Sequence, residues 1–254
     1  MFTDIQGEWP PHQRLILCSC DETYFNKYFP RFYQTFTEHW QLPIHVHIID
    51  PSKESIKRLE QLGVSHTWCN TEDYDWKKAL NEFRSSIQNK PHTDKQVKQW
   101  LYECYCQCQR FVVMGSLMTE EQSVIVADVD AYAQHKPSEK QTQLLFSNSA
   151  FTKYNDRLMA TFCHFHPTQI NKIRHLSSMI VNQLTRCFVL GLDQRAITDL
   201  FMTARVDLKQ EEWIRHRDVK TDNDRKKHAQ PLIYHEKGWR GKLKSVEVTW
   251  TDIE

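Results

Sequence analysis

Glycine is scarce, six in 254 residues, which argues against a Gly-rich loop that cradles phosphates with backbone N–H groups. A phosphate held by this chain would need cations instead. Neither sign of charge is in excess: 33 Lys and Arg against 32 Asp and Glu leave a net charge of +1, so no global field draws the chain to nucleic acid or to a membrane surface. Long apolar runs are missing as well. Nothing approaches the roughly 20 apolar residues of a membrane span, and Met1 to Gln13 holds no apolar signal core. These absences predict a cytoplasmic protein without a membrane span and without a nucleic-acid partner. The eight cysteines show no Cys-x-x-Cys spacing; reduced thiols are expected rather than disulfides or a zinc site.

What is present supports a core: 40% of residues are hydrophobic and 12% aromatic, and no linker divides the chain. Residues 1–254 read as one domain with a polar lead over 1–13 and a charged, exposed helix or mobile loop over 205–230. Around Ser123 to Asp130 (SVIVADVD) the pattern is most informative. Consecutive β-branched residues mark a strand buried on both faces, and it ends on Asp128 and Asp130. At the carboxyl edge of an α/β sheet, two acids one residue apart can hold a divalent cation against a phosphate. The plainer alternative is a strand running out into a solvated acidic turn.

Arg14 to Cys20 reads as a first buried strand, followed by a turn at Asp21 and a helix from about Tyr24. Asp21 is either the N-cap of that helix or, with Tyr24, part of a ligand site in which the Tyr24 ring stacks on a nucleobase. Phe25, Phe29, Phe32, Phe36 and Trp40 recur at helical spacing and predict core packing. Ile44 to Asp50 alternates apolar residues with His45 and His47, as a strand with one half-solvated face would. A helix over Ser52 to Leu62, a strand over Val64 to Trp68 and a helix over Asp73 to Gln88 complete an alternating order that predicts a parallel sheet with right-handed crossovers.

A long helix from about Thr93 to Met118 leads into the acidic strand. Of its cysteines only Cys104 and Cys108 share a face. Arg110 lies roughly 12 Å back along this helix and Asp128 roughly 16 Å along the strand, so an antiparallel pair brings them to similar height. Arg110 can therefore serve a phosphate or simply pair with an acid. Farther on, Lys136 to Gln143 reads as a polar loop, Leu158 to Phe165 as a strand with a packed or solvated His164 and His166, and Pro167 to Cys187 as a helix. Asp193 is a natural N-cap for the next helix. Near the end, His235 is followed by Gly238, Arg240 and Lys242, which suits a metal ligand beside a diphosphate binder or a solvated basic turn; Ser245 to Trp250 alternates like an edge strand.

In order, these motifs resemble the GT-A-fold glycosyltransferases, in layout the glycogenin and bacterial lipopolysaccharide galactosyltransferase families, from roughly Leu15 to Lys242. The resemblance implies a Rossmann-like α/β fold with a mixed, mainly parallel sheet flanked by helices. It implies a nucleotide site at Cys20, Asp21 and Tyr24, a donor-binding Arg110, a metal site of Asp128, Asp130 and His235, a sugar-side pair Asp193 and Gln194, and diphosphate contacts at Gly238, Arg240 and Lys242. The implied activity is metal-dependent transfer of a hexose from a nucleotide sugar, a UDP-sugar by expectation, with retention. Mn²⁺ is the expected ion, with Mg²⁺ as substitute. The acceptor would be a saccharide, a lipid-linked glycan or a protein, and a homo-oligomer is compatible with this reading. In place of the Asn that usually precedes two small residues in the family, Met159 precedes Ala160 and Thr161. Gly241 stands where a Lys is usual.

Two other readings use the same residues. A phosphoryl hydrolase also places Asp-x-Asp after a buried strand, although Ala131 and Tyr132 do not make the turn expected after a nucleophilic Asp. A glycosyltransferase-like module that binds nucleotide sugars without turnover is the other.

Overall fold

The alternation of faces along two strands explains the architecture. In the computed structural model, which describes residues 4–72, 74–86, 93–154, 156–186, 189, 191–203, 205–216, 232–235 and 248–253, β2 (Arg14–Asp21) and β5 (Ser123–Ala127) pair in parallel. Leu15, Leu17, Val124 and Val126 pack on one side, Ile16, Cys18, Ile125 and Ala127 on the other. Both faces are covered by helices, so neither strand shows a polar alternation.

The remaining strands extend this pair into one sheet of eight. β1 (Gln6–Gly7), β3 (Ile44–Ile49) and β4 (Ser65–Cys69) lie beyond β2, whereas β7 (Ala150–Tyr154), β8 (Arg157–Phe165) and β9 (Val206–Leu208) lie beyond β5, giving the order β1-β4-β3-β2-β5-β8-β7-β9. Contacts β4-β3-β2-β5 are parallel, and β8 enters antiparallel to β5. The carboxyl ends of β2, β3, β4 and β5 therefore share one edge. A smaller sheet, β10 (Ile214–His216), β11 (Ile233–His235) and β6 (Ala131–Ala133), continues the chain past that edge.

Helices follow the strands closely. On one face α1 (Glu22–His39) buries Phe25, Phe29, Phe32 and Phe36, as expected from their spacing, and α2 (Lys53–Gln61) starts from an N-cap at Ser52. On the other lie α3 (Trp76–Ser86), α4 (Asp94–Leu117), α6 (Ile170–Arg186) and α7 (Leu192–Phe201). Gly115 lets α4 touch α6: a Cβ there would sit 2.4 Å from the Ser177 Cβ and 2.9 Å from the Ile173 carbonyl oxygen. No other residue fits that crossing without shifting a helix.

Several expectations need correction. The supposed polar loop after Lys136 contains α5 (Glu139–Phe146), because Ser138 and Gln141 form a capping box that satisfies the first turn. Residues 205–216 are not a mobile or merely exposed stretch: β9, α8 (Gln210–Trp213) and β10 form there, with Trp213 and Ile214 buried against the core. Residues 217–230 lie outside the described set. Trp250 belongs to a short 3-10 turn (Trp250–Asp252) rather than an edge strand, and it packs on Phe25 with ring centroids 4.9 Å apart. The helix after Pro167 begins as a 3-10 turn, Pro167–Gln169.

His45 and His47 do not face solvent; both are fully buried. β3 is a central strand, so its second face is covered too, and the imidazoles find partners on β4 instead of water. His45 pairs with Ser65 Oγ at 2.8 Å and Thr67 Oγ1 at 3.0 Å, and His47 with Thr67 Oγ1 at 3.0 Å and Cys69 Sγ at 3.5 Å. Burial lowers both imidazoles to about 3, so they are neutral. His164 is buried as well, with Nδ1 at 2.9 Å from the Asn148 carbonyl oxygen.

Candidate active site

A cavity of about 300 Å³ opens at the carboxyl edge of β2 and β5, in the place where α/β sheets bind ligands. Three elements supply most of its wall. The end of β2 and start of α1 bring Ser19, Cys20, Asp21 and Tyr24; the end of β5 brings Asp128, Val129 and Asp130; one face of α4 brings Glu103, Cys106, Gln107 and Arg110. Asp193 and Gln194 close it from α7, and Ala160 and Thr161 from β8. Every expected site residue up to Gln194 is therefore in one place.

Asp21 fulfils both of its readings. Its Oδ1 accepts the Tyr24 N–H at 2.7 Å, capping α1, and the residue also lines the cavity. The helix thus delivers Tyr24 to the rim, where the side chain is 39% exposed and free to stack on a flat ring. Burial, then the Asp130 and Glu103 carboxylates, raises the Tyr24 phenol, so it stays protonated at neutral pH. Burial also pushes the Cys20 and Cys106 thiols well up. Neither is a thiolate nucleophile in this setting.

At the floor sits an ion triad in which Arg110 and Asp193 are buried and Asp128 is partly exposed. Arg110, 3% exposed, donates from Nη1 to Asp128 Oδ1 and from Nη2 to Asp193 Oδ2 at 3.2 Å. Its Nε–H has no partner among the described residues. One guanidinium therefore offsets two carboxylates and retains a buried donor without an acceptor, a state that an anionic ligand would relieve. The helix–strand height match expected for Arg110 and Asp128 holds. Asp193 is not the N-cap of α7: Gly191, at φ 70°, takes that position, and Asp193 sits in the first turn, where its Oδ1 accepts the Gln194 N–H at 2.8 Å. With its other oxygen on Arg110, the carboxylate is fixed at both ends.

Asp128 and Asp130 supply hard oxygen donors suited to Mg²⁺ or Mn²⁺. Among the described residues no third His, Cys, Asp or Glu joins them. The backbone of His235 pairs with Ala131, the residue after Asp130; Gly238, Arg240 and Lys242 lie outside the described residues. Met159, 5% exposed on β8, does not line the cavity, whereas the next two residues do.

Sequence reasoning passed over Glu103, Cys106 and Gln107. Their signal was present: with Arg110 they stand at i, i+3, i+4 and i+7, one face of a helix. Cys104 and Cys108 share a neighbouring face of the same helix, which packs into the core. Ser19 was hidden by its strand, since a single polar residue in RLILCSC carries no period.

No family model matches the sequence, and no curated protein matches it. Solved structures do. The galactosyltransferase LgtC, crystallised with donor and acceptor sugar analogues, superposes with a TM-score of 0.56 at 11% identity over 94% of each chain. The bifunctional glycosyltransferase WbbM, in its apo form, gives 0.58 at 13% identity over 97% of this chain and 50% of its own. The chain has the GT-A glycosyltransferase fold. Among the described residues no helix is long and apolar enough to cross a membrane.

Proposed function

We propose that this chain transfers a hexose from a nucleotide sugar, with UDP-sugars the expected donors, to an acceptor hydroxyl with retention at the anomeric carbon. One observation carries the proposal: a single cavity at the sheet's carboxyl edge collects a stacking aromatic, a buried guanidinium with a spare donor, two adjacent acids and a doubly anchored carboxylate. Each answers a different part of a nucleotide sugar. Tyr24 with Cys20 and Asp21 would hold the base, Arg110 the diphosphate, and Asp193 with Gln194 the sugar.

Asp128, Asp130 and His235 would hold the divalent ion, which when bound supplies Lewis-acid stabilisation of the diphosphate leaving group. Gly238, Arg240 and Lys242 would add backbone and cationic contacts to the same phosphates. The protein's own part is electrostatic. As the bond from sugar to phosphate breaks, negative charge grows on the diphosphate, and the Arg110 guanidinium is already oriented to receive it by its two carboxylate partners. Positive charge grows at the anomeric carbon, and Asp193, held by Arg110 and the Gln194 N–H, is a preorganised counter-charge.

A thermal-shift panel of UDP-, GDP- and ADP-sugars with and without Mn²⁺ tests this reading, since a ligand that binds only the native state raises the midpoint by mass action. One nucleotide class should shift the wild type in the presence of Mn²⁺, and the Asp128→Asn/Asp130→Asn variant should lose both that shift and sugar release. Wild-type indifference to every nucleotide sugar would overturn it. Saturable binding with no sugar released over long incubation would identify a binding module instead.

A further inference from the structure

One wall of the cavity is graduated along α4. Glu103, Gln107 and Arg110 share a face of that helix, and at 1.5 Å per residue Glu103 lies about 10 Å along the axis from Arg110. Arg110 is the one cation among the described residues that line the cavity, and it marks the phosphate end. Gln107, exposed, stands about a turn before it, and Glu103 a further turn away, where Tyr24 also lines the wall. The interval leaves room for a ribose between a phosphate on Arg110 and a base at Tyr24.

Glu103 is half-buried at that far end. After burial and the Asp130 charge, its carboxylate is the next cause that raises the Tyr24 phenol, so its charge is felt at that ring. Its Oε1 accepts a hydrogen bond from Gln99 Nε2 at 2.9 Å, and its Oε2 has no partner among the described residues. No Lys or Arg among them pairs with it. An anion so placed repels phosphate, and in a bound nucleotide it is satisfied only by an N–H or O–H donor. Asp21, the other carboxylate at this end, already has Oδ1 engaged by the Tyr24 N–H.

Nucleobases differ in the donor they offer such a group. Uracil N3 and guanine N1 carry a hydrogen, whereas cytosine N3 and adenine N1 present a lone pair at the corresponding place. A carboxylate accepts from the first two and opposes the others, since two acceptors face to face leave both unsatisfied. Stacking on an aromatic ring while the polar edge is read by hydrogen bonds is a general way to hold a base.

We propose that Glu103 selects the base: with the ring stacked on Tyr24, the Glu103 carboxylate accepts the ring N–H of uracil or guanine, and cytosine and adenine nucleotides are rejected. This rests on the nucleotide-sugar reading and adds to it a residue that the resemblance does not assign. Calorimetric titration of the full chain with UDP, CDP, GDP and ADP in the presence of Mn²⁺ tests it, each nucleotide being compared with the one of its own ring size. The tightest ligand should be UDP or GDP, about tenfold or more tighter than CDP or ADP respectively. In Glu103→Gln the Gln99 amide can still hold the side-chain oxygen, which leaves an NH₂ donor in place of Oε2; discrimination should fall below about threefold as CDP or ADP gains affinity. Glu103→Ala should lower it by weakening the favoured nucleotide. A tightest ligand of CDP or ADP, discrimination that persists in Glu103→Gln, or equal weakening of all four nucleotides, the mark of a ribose contact or of a structural role, would overturn the proposal. If nucleotides of one ring size bind alike while sugar is still released from a nucleotide sugar, this assignment fails and the transferase reading stands. If no nucleotide binds with Mn²⁺, both fall.

Discussion

Acidification should destabilise this protein through three buried histidines. His45, His47 and His164 are neutral in the fold because burial lowers each from 6.5 to about 3. Positive charge nearby would act in the same direction, from His47 and His66 on His45 and from His166 and Arg14 on His164, where the hydrogen bond to the Asn148 carbonyl opposes it. The partners explain why a second proton is refused. His164 Nε2 has no acceptor among the described residues, and the Thr67 hydroxyl stands between His45 and His47, with one proton to share. In the unfolded chain each imidazole takes up a proton near its ordinary value. The sign follows: the unfolded state binds more protons between pH 6.5 and about 3, so the stabilisation is complete above 6.5 and is lost as pH falls through that window.

At pH 5 the loss is about 2 kcal/mol per histidine, and on the order of 6 kcal/mol for the three together, comparable with the whole stability of an ordinary domain. Urea unfolding followed by tryptophan fluorescence at several pH values between about 7.5 and 5 measures it, as a slope in unfolding free energy. His164→Phe, which removes one titrating group, should lower that slope, by up to about 1.4 kcal/mol per pH unit at the acid end of the range. A midpoint that stays constant from pH 7 to 5 would refute the reasoning.

Other outcomes follow from the same contacts. Arg110→Met leaves the buried Asp193 carboxylate uncompensated and should cost about 3–5 kcal/mol in urea unfolding, with Arg110→Met/Asp193→Asn recovering a large part. A loss under about 1 kcal/mol would mean the triad is not formed as described. Gly115→Ala forces α4 and α6 apart and should cost about 1–3 kcal/mol, read as a drop of several degrees in Tm.

The sequence made the sheet's centre legible because β2 and β5 carry β-branched and aliphatic residues on both faces, and the order of helices between them allows few topologies. It also located the cavity, since Asp21, Arg110, Asp128 and Asp193 each stand at the end or on one face of a readable element. What it obscured has physical causes. His45 and His47 looked like a wet face because alternation does not tell water from a cross-strand hydroxyl such as Thr67. The polar composition of residues 136–143 reads as a loop, whereas the Ser138 and Gln141 capping pair makes it the start of α5. Trp213 and Ile214 stand in a charged stretch whose composition hides them, yet with Leu208 they turn inward.

Four cavity residues, Glu103, Cys106, Gln107 and Arg110, ride on one stripe of a single continuous rod. Adding or deleting one residue upstream of them within that rod would swing the whole quartet by about 100° relative to the packed face. This wall can be retuned by exchanging side chains but not by changing length. Exchanges at Glu103, Cys106 and Gln107 would reshape this wall while the spacing among the four positions stays fixed.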